Sequence, residues 1–147
     1  MKAVEFPRVD AFGFLLALDL YQCERSKLDS IDYCSQLLEH LVSRLRMHKQ
    51  APPYVFRSPE EFPDKAGLSG WVPLIESGIS IHTIVPSAFA SIDIYCCSRF
   101  PVEPVSSFLC DELAAKHVDS QILVRGPKYP DGDSTLAGTG LPLETMQ

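Results

Sequence analysis

The sequence predicts an α+β domain in which an antiparallel sheet carries two helices on one face, as a two-layer sandwich. Three observations lead to this prediction. Apolar residues recur at three- and four-residue steps from Ile31 to Leu45, which is typical of an amphipathic helix. Two runs rich in Ile and Val, 79–85 and 89–97, are separated by a short turn and predict a hairpin. Pro104 suits the first turn of a second helix, and a last strand at 121–124 completes the order strand, helix, strands, helix, strand.

The first half of the chain contributes one long strand and one long helix. Residues 11–21 are rich in Phe and Leu and predict a buried strand, while the polar residues 22–28 predict a loop. Asp29 or Ser30 suits the helix N-cap, because a short polar side chain there accepts a backbone N–H. The pair Pro52-Pro53 prevents the helix from continuing.

The second half contributes shorter strands. Residues 54–57 predict a short strand, and 70–75 predict a strand that contains Pro73. Because proline has no N–H for the ladder, we expect this residue at a sheet edge or an irregularity. The regular pattern ends after the last strand, so we predict a domain over 1–125 and a flexible tail, 126–147, rich in Pro, Gly and Asp.

Composition and length restrict the class of protein. A chain of 147 residues is about one domain, and 46% hydrophobic with 22% charged residues is typical of globular rather than disordered proteins. The net charge of −6 argues against nucleic acid as a partner, since a phosphate-binding surface is basic. The apolar run 12–18 is too short to span a membrane, and no signal-peptide cleavage site follows it. We therefore expect a cytoplasmic protein without a membrane partner.

Residues that could carry chemistry concentrate in 67–97. The chain has no motif for a phosphate loop, a nucleophile elbow or a zinc-binding helix, so we predict no metal site. The stretch contains Ser69, Glu76-Ser77, His82 and Cys97 between apolar strands. Each of these side chains alone is more often structural, so the combination is what suggests an active site.

The two adjacent cysteines differ in their expected surroundings. Five cysteines cannot all pair within one chain, and thiols stay reduced in the cytosol. Strand alternation puts Cys96 on the apolar core face and Cys97 on the polar face. Because a buried cysteine usually behaves as a small hydrophobic residue, Cys97 is the better candidate for chemistry.

The predicted hairpin also suggests which side chains are neighbours. If Val85 and Phe89 pair across the turn, Ser77 and Cys97 lie opposite each other on the same face. Strict alternation then puts His82 on the other face, unless a bulge at the residue after Ser77 restores the match.

Four short motifs follow one another within residues 67–97. They are Gly67-Leu68-Ser69-Gly70, Glu76-Ser77, Ile81-His82-Thr83 and the run from Asp93 to Cys97. Together with the first strand, which ends near Cys23, they resemble the short bacterial and archaeal form of S-adenosylmethionine decarboxylase, a self-processing pyruvoyl-dependent family. The resemblance covers about residues 11–125.

The resemblance implies a proenzyme that cleaves itself between Glu76 and Ser77. Ser77 would attack the Glu76 carbonyl to form an ester, and elimination would convert Ser77 into a covalent pyruvoyl cofactor. Ser69 would hydrogen-bond the intermediate, and His82 would be the base for elimination. The pyruvoyl ketone would then form a Schiff base with the substrate amine, and Cys97 would reprotonate the α-carbon after carbon dioxide leaves.

Departures from the family pattern concern recognition of the substrate. Where the family typically has Trp-Pro-Glu, whose aromatic ring helps hold adenine and whose carboxylate binds the ribose, this chain has Ile84-Val85-Pro86. Losing such a charge-assisted hydrogen bond typically weakens binding by about 1.5–3 kcal/mol. The histidine that commonly follows the processing serine is Gly78 here. Phe56 and Phe62 are the remaining candidates for stacking on a base.

The sequence therefore leaves three functions open. The first is a decarboxylase of polyamine and spermidine biosynthesis that acts on S-adenosylmethionine. The second is the same pyruvoyl chemistry on a free amino acid such as arginine or ornithine, which the missing adenosine contacts favour. The third is an unprocessed, inactive regulatory paralogue. The resemblance also implies a homodimer whose sheets pack face to face in an αββα arrangement, which would cover the sheet face that the helices leave open.

Overall fold

The computed structural model describes residues 4–132, which form one antiparallel six-stranded sheet with helices. The strand order is β2-β3-β4-β5-β1-β6. In chain order the elements are β1 (Gly13–Tyr21), α1 (Arg25–Leu28), α2 (Ile31–Arg44), β2 (Tyr54–Arg57), a 3₁₀ turn (Pro63–Lys65), β3 (Leu68–Leu74), β4 (Ser77–Ile84), β5 (Phe89–Cys96), α3 (Val102–Leu113) and β6 (His117–Arg125).

One face of the sheet and the helices share a single hydrophobic core. Alternate residues of β1 and its neighbours are fully buried there, as in Leu16 and Leu18, and they pack with the apolar stripes of α2 and α3. The α2 stripe lies where the periodicity predicts it, and Ser30 caps the helix by accepting the N–H of Tyr33 at 3.1 Å. These observations confirm the α+β architecture. None of the described helices is long and apolar enough to cross a membrane.

The other face of the sheet, called the open face below, carries both polar and large apolar side chains. Tyr21, Tyr54, Phe56 and Trp71 project from it and are each more than one-third exposed. The buried side chains of all the described helices belong to the core on the opposite side. The open face is therefore the accessible face of the sheet in the described part of the chain.

Some elements differ from their predicted bounds. Helix α1 was expected as loop, because four residues are too few to show a helical period. Helix α3 begins at Val102, so Pro104 lies in its first turn, as predicted. Strand β6 extends to His117–Arg125, since polar residues on its open side mask the strand pattern at both ends of the predicted 121–124. Pro73 lies in the part of β3 that β2 does not cover, which agrees with the predicted edge position.

The predicted register of the β4–β5 hairpin is wrong by one residue. Ile84 pairs with Phe89, so Ser77 lies opposite Cys96 and not opposite Cys97. The reason is that Val85 begins a turn over residues 85–88, in which its carbonyl accepts the Ala88 N–H at 3.0 Å.

The predicted tail begins within the described residues. The Phe12 N–H donates to the Gly126 carbonyl at 2.9 Å, and the Tyr129 ring packs against Phe12 with centroids 5.0 Å apart. The rest of the predicted tail, 133–147, lies outside the described residues.

Candidate active site

The bond between Glu76 and Ser77 lies in the tight turn between β3 and β4. Strand β3 ends at Leu74, and Ser77 already pairs with it as the first residue of β4. The φ angle of Ser77 is 134°, in the region that side chains disfavour. Such backbone strain persists only where the surrounding structure imposes it, and it often accompanies function.

A backbone hydrogen bond holds the carbonyl at this bond. The Cys97 N–H donates to the Glu76 oxygen at 3.0 Å, just beyond the last residue of β5. A donor in this position stabilises negative charge that develops on the oxygen when a nucleophile attacks the carbonyl carbon.

Ser69 and His82 meet on the open face. They are partners in the β3–β4 register, and Ser69 Oγ lies 2.9 Å from His82 Nδ1. The contact orients the imidazole and leaves its Nε2 available to exchange a proton.

The register sets Ser77 on the face opposite to His82, five residues away along β4, as strict alternation predicts. The β4–β5 ladder runs from Ser77 to Ile84 without a bulge, so the register aligns Ser77 with the buried Cys96 rather than with His82. Even so, Ser77 is only partly buried and lines an open-face cavity of about 480 Å³. This volume is typical of a small-molecule site.

Several residues of this cavity were not predicted as site residues. It is lined by Leu15, Trp71, Ser77, Gly78, Ser80, Asp93, Tyr95 and Arg125. A Cβ atom on Gly78 would come within 2.9 Å of Trp71 Nε1, so the indole occupies space that a side chain at 78 would need. Burial, followed by the charge of Asp19, raises the pKa of Asp93. Trp71 could have been predicted as a site residue, because it is the chain's one tryptophan and occupies an open-face position of β3.

The cysteines separate as the alternation predicts. Cys97 is the exposed one of the five, and all five are free thiols. Cys96 is buried, and this burial raises its pKa. Burial also raises the pKa of Cys23 and of Cys34 to about 11, so these thiols stay protonated and unreactive. Gly13 permits close approach of β1 here, because a Cβ on it would lie 2.4 Å from the Cys96 carbonyl oxygen.

A sequence comparison relates this geometry to known proteins. The profile of the S-adenosylmethionine decarboxylase family matches residues 15–126. The chain belongs to this family.

Known members of the S-adenosylmethionine decarboxylase family resemble it over most of its length. It is 30% identical over 115 residues to the S-adenosylmethionine decarboxylase proenzyme of Clostridium botulinum (strain Hall), covering 78% of this chain and 94% of that protein. The proenzyme of Aquifex aeolicus (strain VF5) is also 30% identical over 115 residues, which is 78% of this chain and 81% of that protein. The crystal structure of the adenosylmethionine decarboxylase from Aquifex aeolicus VF5 superposes with a TM-score of 0.70 at 25% identity, covering 85% of this chain and 99% of that one.

In this member of the S-adenosylmethionine decarboxylase family, the end of β4 distant from Ser77 is held by an arginine. Arg25 Nε donates to the Val85 carbonyl at 3.1 Å, and Nη2 donates to the Pro86 carbonyl at 3.3 Å. At this end of β4, Arg25 therefore binds the backbone carbonyl oxygens of Val85 and Pro86. Of the two aromatic candidates, Phe56 lies on the open face opposite Ser69, whereas Phe62 lines a separate cavity beside Arg57.

Proposed function

We propose that this protein is a self-processing, pyruvoyl-dependent decarboxylase that acts on S-adenosylmethionine. The observation that carries the proposal is the Glu76–Ser77 bond, where a strained serine follows a carbonyl that accepts the Cys97 N–H at 3.0 Å. Family membership supports it, since the relatives described above are named as S-adenosylmethionine decarboxylase proenzymes.

The first proposed step exchanges an amide for an ester. Ser77 Oγ forms a bond to the Glu76 carbonyl carbon, the bond from that carbon to the Ser77 nitrogen breaks, and the hydroxyl proton ends on the new amine. Relief of the backbone strain at Ser77 favours this step. The Cys97 N–H stabilises the oxyanion that forms in between.

The second proposed step breaks the ester by elimination. His82 removes the proton from the Ser77 α-carbon, the bond from the β-carbon to oxygen breaks, and Glu76 leaves as a carboxylate. The double bond left at residue 77 shifts to an imine, which takes up water and releases ammonia to give the pyruvoyl group. The Ser69 contact at 2.9 Å orients the His82 imidazole, and its assignment as the base for Ser77 follows from the family pattern, because His82 lies five residues farther along β4.

The residues around Ser77 suit the decarboxylation that follows. A pyruvoyl group supplies a carbonyl that condenses with an amine and withdraws electrons from a breaking carboxylate bond. Cys97 is the exposed thiol beside Glu76 and is the proposed proton donor to the α-carbon. Trp71 and Asp93 line the cavity and offer an aromatic surface and a negative charge to a sulfonium substrate.

The names of the relatives favour S-adenosylmethionine over a free basic amino acid. Neither of the two proenzymes nor the crystal structure described above is named for arginine or ornithine. The missing carboxylate at Pro86 bears on how tightly the ribose is held, and the Glu76–Ser77 bond lies at the other end of β4.

Intact mass spectrometry of the purified protein tests the proposal. We expect two fragments, 1–76 and 77–147, with the second lacking a free amine at its start. Ser77→Ala should stay whole, whereas Ser80→Ala, a matched serine in the same cavity, should cleave like the wild type. Carbon dioxide should be released from S-adenosylmethionine and not from arginine or ornithine. An unbroken wild-type chain would support the inactive paralogue instead. Release of carbon dioxide from arginine or ornithine alone would overturn the proposal that S-adenosylmethionine is the substrate.

We further propose that the protein is a homodimer joined through the open face. Tyr54, Phe56 and Trp71 are 47%, 66% and 50% exposed there, and such an aromatic surface is more typical of an interface than of a solvated sheet. Light scattering should give twice the chain mass of 16.3 kDa. A monomer at micromolar concentration contradicts this part.

A further inference from the structure

The side chain of Glu76 is bound in a way that the cleavage chemistry by itself does not require. Its Oε1 lies 2.6 Å from His48 Nδ1, and both carboxylate oxygens lie 3.1 Å from the His48 backbone nitrogen. The Glu76 side chain is 13% exposed, whereas that of His48 is 77% exposed. The imidazole thus covers the carboxylate from the solvent side.

The segment that carries His48 is itself attached to the end of β3. The Ile75 N–H donates to the His48 carbonyl at 2.9 Å, and the Gln50 N–H donates to the Pro73 carbonyl at 2.9 Å. Lys49 and Leu74 form an antiparallel bridge between these two bonds. This short ladder gives His48 a fixed position relative to Glu76.

Glu76 is consequently held at two groups on the acyl side of the bond. His48 binds its carboxylate, and the Cys97 N–H binds its carbonyl oxygen. Burial alone would raise the pKa of Glu76, but the hydrogen bonds from the His48 side chain and N–H outweigh burial and lower it. The carboxylate is therefore charged and a strong acceptor at neutral pH.

We propose that His48 is a positioning residue for self-cleavage, which anchors Glu76 so that its carbonyl stays in place while Ser77 attacks. The inference rests on the proposed function, because it concerns the rate of that cleavage. Holding the acyl carbon near the nucleophile raises the rate, since small displacements in a reacting pair are costly. His48 itself touches neither the carbonyl carbon nor Ser77 Oγ in this role.

Cell-free synthesis with labelled methionine measures the cleavage rate before it is complete. We expect His48→Ala to slow conversion about tenfold, as expected for losing one charge-assisted hydrogen bond. His48→Asn should recover most of the rate, because its amide nitrogen can reach the position of Nδ1. Lys49→Ala is the matched control: it removes the exposed ion pair with Glu39 from the same segment and should cleave like the wild type.

A second measurement separates positioning from folding and from decarboxylation. Urea unfolding in the uncleaved Ser77→Ala background should show that the His48→Ala chain folds cooperatively. Once cleaved, His48→Ala should release carbon dioxide at the wild-type rate per cleaved chain.

Each outcome bears on one of the two proposals. Wild-type cleavage in His48→Ala would overturn the role of His48 and leave the proposed function intact. Equal slowing in His48→Asn, or slowing in Lys49→Ala, would also overturn the anchor, since the hydrogen bond would then not be the cause. A wild-type chain that never cleaves would refute the proposed function itself.

Discussion

The two ends of β4 differ in what they keep of the family pattern. At its start, Ser77 has a strained backbone, and the Glu76 carbonyl beside it accepts a backbone N–H. At its other end, the chain turns at Val85 and Pro86, whose carbonyls are bound by Arg25. The first end carries the bond proposed to break, whereas the Ser69–His82 pair lies nearer the second end, which lacks the carboxylate that the family pattern supplies.

The difference teaches that reaction and recognition tolerate change unequally. The groups that react with a carbonyl must be placed within about 0.5 Å of their productive positions. Few substitutions of these groups are therefore accepted. An adenosine ring can be held by aromatic groups from more than one strand. Trp71 on β3, packed over Gly78, offers such a surface beside Ser77.

Removing the proposed base should have the largest effect. We expect His82→Ala to slow cleavage about 10²–10⁴-fold, because elimination loses its proton acceptor. Hydroxylamine should release fragment 1–76 from the variant, since the ester would accumulate. His117→Ala is the control: this open-face histidine hydrogen-bonds Asp119 and should not affect cleavage. Normal cleavage in His82→Ala would show that a different residue is the base for elimination.

Removing the thiol should separate cleavage from decarboxylation. Cys97→Ala keeps the backbone N–H that binds the Glu76 carbonyl, so cleavage should remain close to the wild-type rate. Turnover of S-adenosylmethionine should fall about 10²-fold for want of a proton donor. Cys110→Ala, at a partly buried thiol, should leave turnover unchanged. A Cys97→Ala enzyme with full turnover would rule out the proton donor.

Restoring a carboxylate should act at the recognition end alone. We expect Pro86→Glu to lower KM for S-adenosylmethionine about tenfold with kcat unchanged, since it adds a charge-assisted hydrogen bond to the ribose. Pro86→Gln has the same length without the charge and should change KM less. If Pro86→Glu alters cleavage instead, the two ends of β4 are not independent.

The smallest effect concerns the charge of Glu76. Because its folded pKa is lowered, Glu76 stabilises the uncleaved fold above its ordinary pKa and loses that contribution as pH falls through the lowered value. We compare the Ser77→Ala chain with a chain that also carries Glu76→Gln. Acidification from about pH 6 to about pH 3 should lower the free energy of unfolding of the first chain by up to about 1 kcal/mol more than that of the second. Urea titrations at both pH values measure it. Equal pH dependence in the two chains would mean that the carboxylate adds no stability.

Local patterns made part of the fold predictable. The apolar period of α2 and its Ser30 cap depend on residues a few positions apart, and the structure confirms both. The β4–β5 register was not predicted, because the turn covers residues 85–88 and is one residue longer than the connection between the two apolar runs. The motifs around Ser69 and His82 were visible, but their contact follows from a strand pairing.

Contacts between distant segments hid other parts of the candidate site. His48 lies shortly after the end of α2 and is largely exposed, as an ordinary surface histidine would be. Its link to Glu76 joins positions 28 apart, which no local pattern encodes. Trp71 and Arg125 likewise meet in one cavity only after β3 and β6 have joined the same sheet.

The sequence by itself determined the class of fold, the family and the identity of the residues proposed to react. The class of fold follows from periodicity, a property of neighbouring positions, whereas the family and the proposed reacting residues follow from the resemblance of short motifs to a known family. Only the tertiary structure decided which side chains meet: Ser69 with His82, Glu76 with His48, and the Glu76 carbonyl with the Cys97 N–H. The physical reason is that hydrogen-bond register and the path of each turn depend on donors and acceptors supplied by distant parts of the chain.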